Sequence, residues 1–261
     1  MARVTLKSMR ENALYTSALI LHGNGKLLDY TNDDGVSFRY AQVNTRAIID
    51  CPFRSKGCER VCYATKGNHN FSDVKASRVR SYEETRRADF ADALAYTIRT
   101  EKQSKRYANA VMIVRTHESG DFYSLQYLRK SLQAWATFTP DDGVMFVFYT
   151  KSFPFFLKLT EEEKRTLNTL LSSGVVAMNL SMDDTTSPEQ KRAYLEMIST
   201  FPKANTYYCT EHVESVEHDD VCDCANCAKC GTCNKATGKK TVVKIHSASK
   251  ADMEEYRANI K

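Results

Sequence analysis

Residues 144–183 read VMFVFYTKSFPFFLKLTEEEKRTLNTLLSSGVVAMNLSMD, and this stretch decides the fold class. Val144–Tyr149 is a short run of β-branched and aromatic residues, Thr160–Ser172 carries helical periodicity, and Val175–Leu180 is a second apolar run. In Thr160-Glu161-Glu162-Glu163 the hydroxyl can accept a backbone N–H while Glu163 reaches back, a capping box that marks where the helix starts. Strand, helix and strand in that order make a βαβ unit. The near-continuous apolarity of both strands suits parallel neighbours covered on both faces.

The alternation continues on either side. Val111–Thr116, Asn205–Cys209 and Val242–His246 read as further strands, and Tyr123–Phe138, Pro188–Thr200 and Lys250–Ile260 as helices. Ser187-Pro188-Glu189 supplies an N-cap, a proline suited to the first helical turn and an early acid. Phe90, Ala93, Leu94 and Thr97 recur at helical spacing, which predicts one longer helix over Ser81–Lys105. Arg46–Ile49 reads as a first barrel strand. Upstream, Val36–Val43 alternates and Asn32-Asp33-Asp34-Gly35 signals a hairpin turn.

Five or six parallel strands with intervening helices suit a doubly wound sheet or an incomplete barrel. The reading adopted is an α/β fold: a partial TIM-like (β/α) barrel over residues 46–261, an N-terminal β-hairpin extension over residues 1–45, and a C-terminal cysteine-rich cluster-binding segment. Both architectures assemble chemistry at the carboxyl ends of strands. Polar residues collect at those ends: His117, Glu118 and Asp121, then Thr150, Lys151 and Ser152, then Ser181 and Asp183, then Glu211 and His212. His117, Asp121 and Lys151 are the candidate catalytic residues, and Asp121, Lys151 and Ser181 the candidate cofactor-binding ones.

Composition narrows the function classes. With 42% hydrophobic and 26% charged residues, the 261-residue chain has the balance of a folded globular protein. Its longest apolar run, Val144–Tyr149, falls far short of the roughly 20 residues that cross a bilayer. The amino terminus shows no secretory signal, so a reducing cytoplasm is expected. A net charge of +5 is too small to indicate nucleic acid, and the basic stretch Lys75–Arg106 is interspersed with acids, as in a salt-bridged helix. No Walker loop, G-x-S-x-G elbow or G-x-G-x-x-G fingerprint occurs.

Nine cysteines in such a compartment point to metal rather than disulfides. Cys224, Cys227, Cys230 and Cys233 make three successive C-x2-C steps, with Cys222 just before them. A contiguous run of this kind points three thiolates at one iron–sulfur cubane, and a remote cysteine, here Cys209, completes the set. Zinc is the competitor, although its sites more often use two separated knuckles. The front group, CPFRSKGCERVCYATKG, spaces Cys51, Cys58 and Cys62 as C-x6-C-x3-C. Three thiolates would leave one iron of a cubane open to a small molecule. In the alternative, two of them bind together with one cysteine of the back group.

The front run, RTHESGDFYSLQYLRKSLQAW, FVFYTKSFPFF and the closing cysteines with KIH together resemble the phage "gene product 88" domain family, over about residues 47–247. The resemblance implies a bacteriophage origin and iron–sulfur binding. At fold level the layout is also similar to a distant radical S-adenosylmethionine barrel, though the front spacing is not the C-x3-C-x2-C of those enzymes.

The expectation is therefore a bacteriophage iron–sulfur protein of the host cytoplasm. It would carry one or two [4Fe–4S] clusters on Cys51, Cys58 and Cys62 and on Cys209, Cys227, Cys230 and Cys233. Redox or radical-type activity at the barrel mouth, with S-adenosylmethionine as a candidate cofactor, goes with that reading, and its partner would be a small molecule or a redox protein. The alternatives are a non-catalytic, metal-stabilised protein that binds a host or viral partner, and a zinc-binding nucleic-acid module.

Overall fold

The computed structural model describes residues 21–22, 29–222, 231–245 and 249–259. Among the described residues nine strands form one sheet. A short antiparallel edge, β1 (Leu21–His22) and β2 (Tyr30–Thr31), pairs with β3 (Ser37–Val43). Parallel strands follow from β3 in the order β4 (Val111–Thr116), β5 (Val144–Thr150), β6 (Val176–Asp183), β7 (Asn205–Thr210) and β9 (Lys240–Lys244). The far edge is β8 (Asp220–Cys222), parallel to β9.

From β3 to β7 the order never reverses, so there is no switch point of the doubly wound kind. Right-handed crossovers that always step the same way leave their helices on one face and curl the sheet the other way. The result is an open half-barrel. Its convex face is covered by α3 (Phe90–Lys102), α4 (Leu125–Trp135), α5 (Phe153–Leu157), α6 (Glu161–Ser173) and α7 (Pro188–Thr200); a short α1 (Lys56–Arg60) and then α2 (Ser72–Arg86), whose Arg78 donates to Ala64 O, follow β3 before α3, and α8 (Lys250–Ala258) comes last.

Two-residue periodicity divides the strands between these faces. Val114, Phe146, Phe148, Met178 and Leu180 point outward into the main core, where Trp135 of α4 stacks on Phe148 at 5.2 Å. On the concave side Tyr40, Ile113, Val147 and Ala177 make a small apolar floor. The capping box at Thr160 and Glu163 forms as the sequence predicts, and Ser187 Oγ accepts from Gln190 N.

Two expectations need correction. The first parallel strand is Ser37–Val43, not Arg46–Ile49; the latter lies in a tight turn because the Asp50 carboxylate takes both the backbone N–H and the guanidinium of Arg46. One strand thus serves both the N-terminal antiparallel edge and the parallel body. The single helix over Ser81–Lys105 is instead two, broken at Arg87–Asp89. Lys130 of α4 donates to the carbonyls of Thr85, Arg86 and Arg87 and so terminates α2, while the apolar period starting at Phe90 belongs to α3 alone. Among the described residues no helix is long and apolar enough to cross a membrane.

Candidate functional site

The loop after β3 is folded over the carboxyl ends of the strands by specific ties. Ser55 Oγ caps α1 by accepting from Cys58 N at 3.0 Å and donates to Asp183 Oδ2 at the end of β6. Gly57 N donates to Thr185 Oγ1 at 2.8 Å, and a Cβ at residue 57 would collide with the Tyr256 ring of α8. The glycine is what lets α1 lie against the sheet's end. Further back, Asp50 O accepts from Asp121 N at 3.0 Å, which joins this loop to the one after β4.

Between the loop and the concave face lies a cavity of about 310 Å³. Cys51, Cys58 and Cys62 all line it, and so do Cys209 at the end of β7 and Cys222 on β8. Burial pushes the Cys58 thiol up to about 11; the Lys151 ammonium works against this shift and Asp183 with it. Burial also raises Cys51 and Cys62, and Asp121 and Cys58 push Cys51 further in the same direction. The front thiols are thus close enough to act on one another's ionisation. Among the described residues no three His, Cys, Asp or Glu side chains form a ready single-ion site, so the thiols surround a space rather than a point.

The back of the chain returns to the same face. Asn179 of β6 donates to Cys233 O at 3.1 Å, Asn205 of β7 donates to Lys235 O at 2.7 Å, and Asn234 donates to Tyr40 OH at 2.8 Å. These buried amides stitch residues 233–237 across the inside of the half-barrel. Burial chiefly raises the Tyr149 hydroxyl, and Cys233 there lies close enough that, with Cys222, it opposes ionisation further. Cys224, Cys227 and Cys230, and with them His246, lie outside the described residues.

The candidate catalytic and cofactor residues converge as well, though engaged with one another. Lys151 Nζ pairs with Asp183 Oδ2 at 3.0 Å and lies 3.4 Å from Ser181 Oγ. Burial opposes the Lys151 charge, but Asp183 and the neighbouring thiols outweigh it and hold the ammonium above its usual range. Asp121 Oδ1 accepts from Phe122 N and Thr150 Oγ1, and Oδ2 accepts from Lys151 N at 2.9 Å, so this carboxylate ties the ends of β4 and β5 together. Burial raises it to about 6 against those hydrogen bonds. His117 lines the cavity in a left-handed backbone conformation, φ 66°, with Nε2 2.9 Å from Tyr127 OH and Nδ1 buried without a partner. Desolvation pushes it down to about 3, so it is a neutral imidazole.

Sequence reasoning did not single out Arg115, Tyr149 and Tyr207, which line the same cavity. A usable signal was present: Arg115 interrupts the apolar run VMIVRT at a concave-facing position, as Asn179 does in VAMNLS.

Fold and site together define an α/β half-barrel with a thiol-lined mouth. The chain belongs to the phage Gene product 88 family, whose profile matches residues 18–236. No curated protein and no solved structure matches the chain.

Proposed function

We propose that this phage protein is an iron–sulfur protein of the host cytoplasm, with redox or radical-type chemistry at the mouth of a partial TIM-like barrel. The observation that carries the reading is the convergence of Cys51, Cys58 and Cys62 on one cavity at the carboxyl ends of parallel strands, where barrel sites assemble. Thiolates are the donors iron–sulfur clusters take, and three from a single loop suit a [4Fe–4S] cluster with one iron left for a small molecule. Cys209, Cys227, Cys230 and Cys233 would hold a second cluster; Cys209 and Cys233, the two of that set within the described residues, lie on the same concave side. When bound, such a cluster supplies one-electron chemistry.

The chain's own residues then have distinct tasks. Asp121 fixes the spacing of two strand ends, the Lys151–Asp183 pair holds a localised positive charge beside Cys58, and neutral His117 can accept a proton or hydrogen bond only at an unprotonated ring nitrogen. A zwitterion such as S-adenosylmethionine is the candidate small molecule at the open iron.

Anaerobic purification followed by iron and acid-labile sulfide analysis tests the cluster. The expected protein is brown and contains both; stoichiometric zinc without sulfide, after growth with iron, sinks the reading. The radical form is tested separately by the electron paramagnetic resonance spectrum of the reduced protein with and without S-adenosylmethionine. An unchanged spectrum with no 5′-deoxyadenosine formed removes it.

A further inference from the structure

A thiol outside the ligand set lies at the edge of the sheet. β7, β9 and β8 run side by side in parallel, and Val243 of β9 is the register partner of Cys209 on one side and of Cys222 on the other. Asp183 of β6 pairs in turn with Cys209, so Asp183, Cys209, Val243 and Cys222 form one row across four strands. Residues in register on parallel strands send their side chains to the same face, and all four of these line the concave cavity. β8 has only three residues and ends on Cys222, yet its register is pinned: Asp219 N donates to Lys240 O and Asp219 Oδ2 accepts from Lys240 N, each at 2.8 Å.

Spacing along the row selects among the things two thiols can do. Cys209 and Cys222 are two interstrand steps apart, about 10 Å between Cα atoms. A disulfide needs Cα atoms within roughly 7 Å, so these two cannot join without moving the backbone. A single zinc ion draws its sulfurs to about 2.3 Å, and among the described residues no three potential ligands converge in that way. A cluster spans a wider gap, because each thiolate binds its own iron. Both cysteines are half-buried, so both reach the cavity. At the head of the row Asp183 is engaged by Lys151, Ser55 and Thr185, which makes the thiols the row's soft donors. Cys233 is near as well, since it and Cys222 both act on Tyr149.

We propose that Cys222 is a cluster ligand, sharing one iron–sulfur cluster with Cys209 and Cys233 across the concave face, with one thiol of the run between Cys222 and Cys233 as the fourth. At least one of Cys227 and Cys230 is then surplus to that cluster. This deepens the iron–sulfur reading and rests on it, with Cys222 taking the place of a residue of the run.

The test is the iron and acid-labile sulfide content of the full-length chain and its variants, purified anaerobically, with the electron paramagnetic resonance spectrum of each after reduction. Cys222→Ala should lose half of the bound iron or more, and so should Cys209→Ala. The double variant should lose no more than the worse of the two, because both thiols serve one cluster. Cys222→Ser keeps the size and the strand geometry, and an oxygen ligand should shift the g values of the reduced cluster; this variant decides the matter if Cys222→Ala does not fold. Val221→Thr, on the same strand but with its side chain on the opposite, exposed face, should leave iron and spectrum unchanged. Full iron with the parent spectrum in Cys222→Ser, or losses that add in the double variant, overturns the proposal and leaves the iron–sulfur reading standing. A parent chain without iron and sulfide removes both.

Discussion

Lys151 Nζ and Asp183 Oδ2 stand 3.0 Å apart at the ends of adjacent strands, with side chains only 10% and 3% exposed. Asp183 is held below the usual carboxylate range: burial alone would raise it, but Lys151, Ser55 and Thr185 overcome that. Removing one partner of such a pair strands a buried charge, so Lys151→Met should lower stability by about 3–5 kcal/mol in urea unfolding. Lys151→Met combined with Asp183→Leu should recover part of the loss. Full recovery is not expected, because Ser55 and Thr185 also bond to this carboxylate.

The buried neutral His117 sets a pH dependence with a definite sign. Its folded pKa of about 3 lies below the ordinary value of 6.5, so its contribution to stability is complete above that value and declines as pH falls toward 3. Between pH 7 and pH 5 the loss is about 2 kcal/mol. Asp121, raised to about 6, acts oppositely: it favours the folded state as pH falls below its folded pKa. Comparison with His117→Asn, which tolerates the left-handed backbone, isolates the histidine. Denaturation midpoints at pH 7 and pH 5 should shift more favourably toward low pH in the variant than in the parent.

Gly120 precedes the Asp121 clamp with φ 86°, and a Cβ there would collide with Thr45 Oγ1. Gly120→Ala should therefore cost about 3 kcal/mol or more through strain and overlap combined. Adding Thr45→Ala should relieve only the overlap. Melting temperatures of the single and double variants separate the two contributions.

Lys130 closes the carboxyl end of α2 on three carbonyls, at 3.2, 3.1 and 2.5 Å. Lys130→Met keeps the apolar stem and loses the donors, and about 2 kcal/mol of destabilisation is expected from partly buried carbonyls left unfilled. Hydrogen exchange should speed up locally at the α2–α3 junction, and not at β5 or β6.

The front loop is held by Asp50, Ser55 and Gly57 rather than by its thiols. Cys58→Ala and Cys62→Ala should each lower bound iron by half or more while leaving the far-ultraviolet circular dichroism of the sheet and helices unchanged. Retention of full iron in both variants would remove the front triad from the ligand set.

The sequence by itself determined the parallel strand–helix succession, several helix starts and the two cysteine groups, because apolar period, capping chemistry and ligand spacing are local properties. VMFVFYT and VVAMNL read as buried strands from their shortness and their β-branched and aromatic residues, and Thr160 and Glu163 mark their helix without outside help. The first parallel strand was misplaced because Arg46–Ile49 is bent by a side-chain contact with Asp50, and the break at Arg87–Asp89 depends on Lys130, some forty residues away in sequence. The curl of the sheet, the meeting of the loop after β3 with residues 233–235 on its concave face, and the placement of Arg115 beside Gln42 were decided only by tertiary structure. Strand order and register bring residues far apart in sequence to one wall, and no local pattern encodes which strand lies beside which.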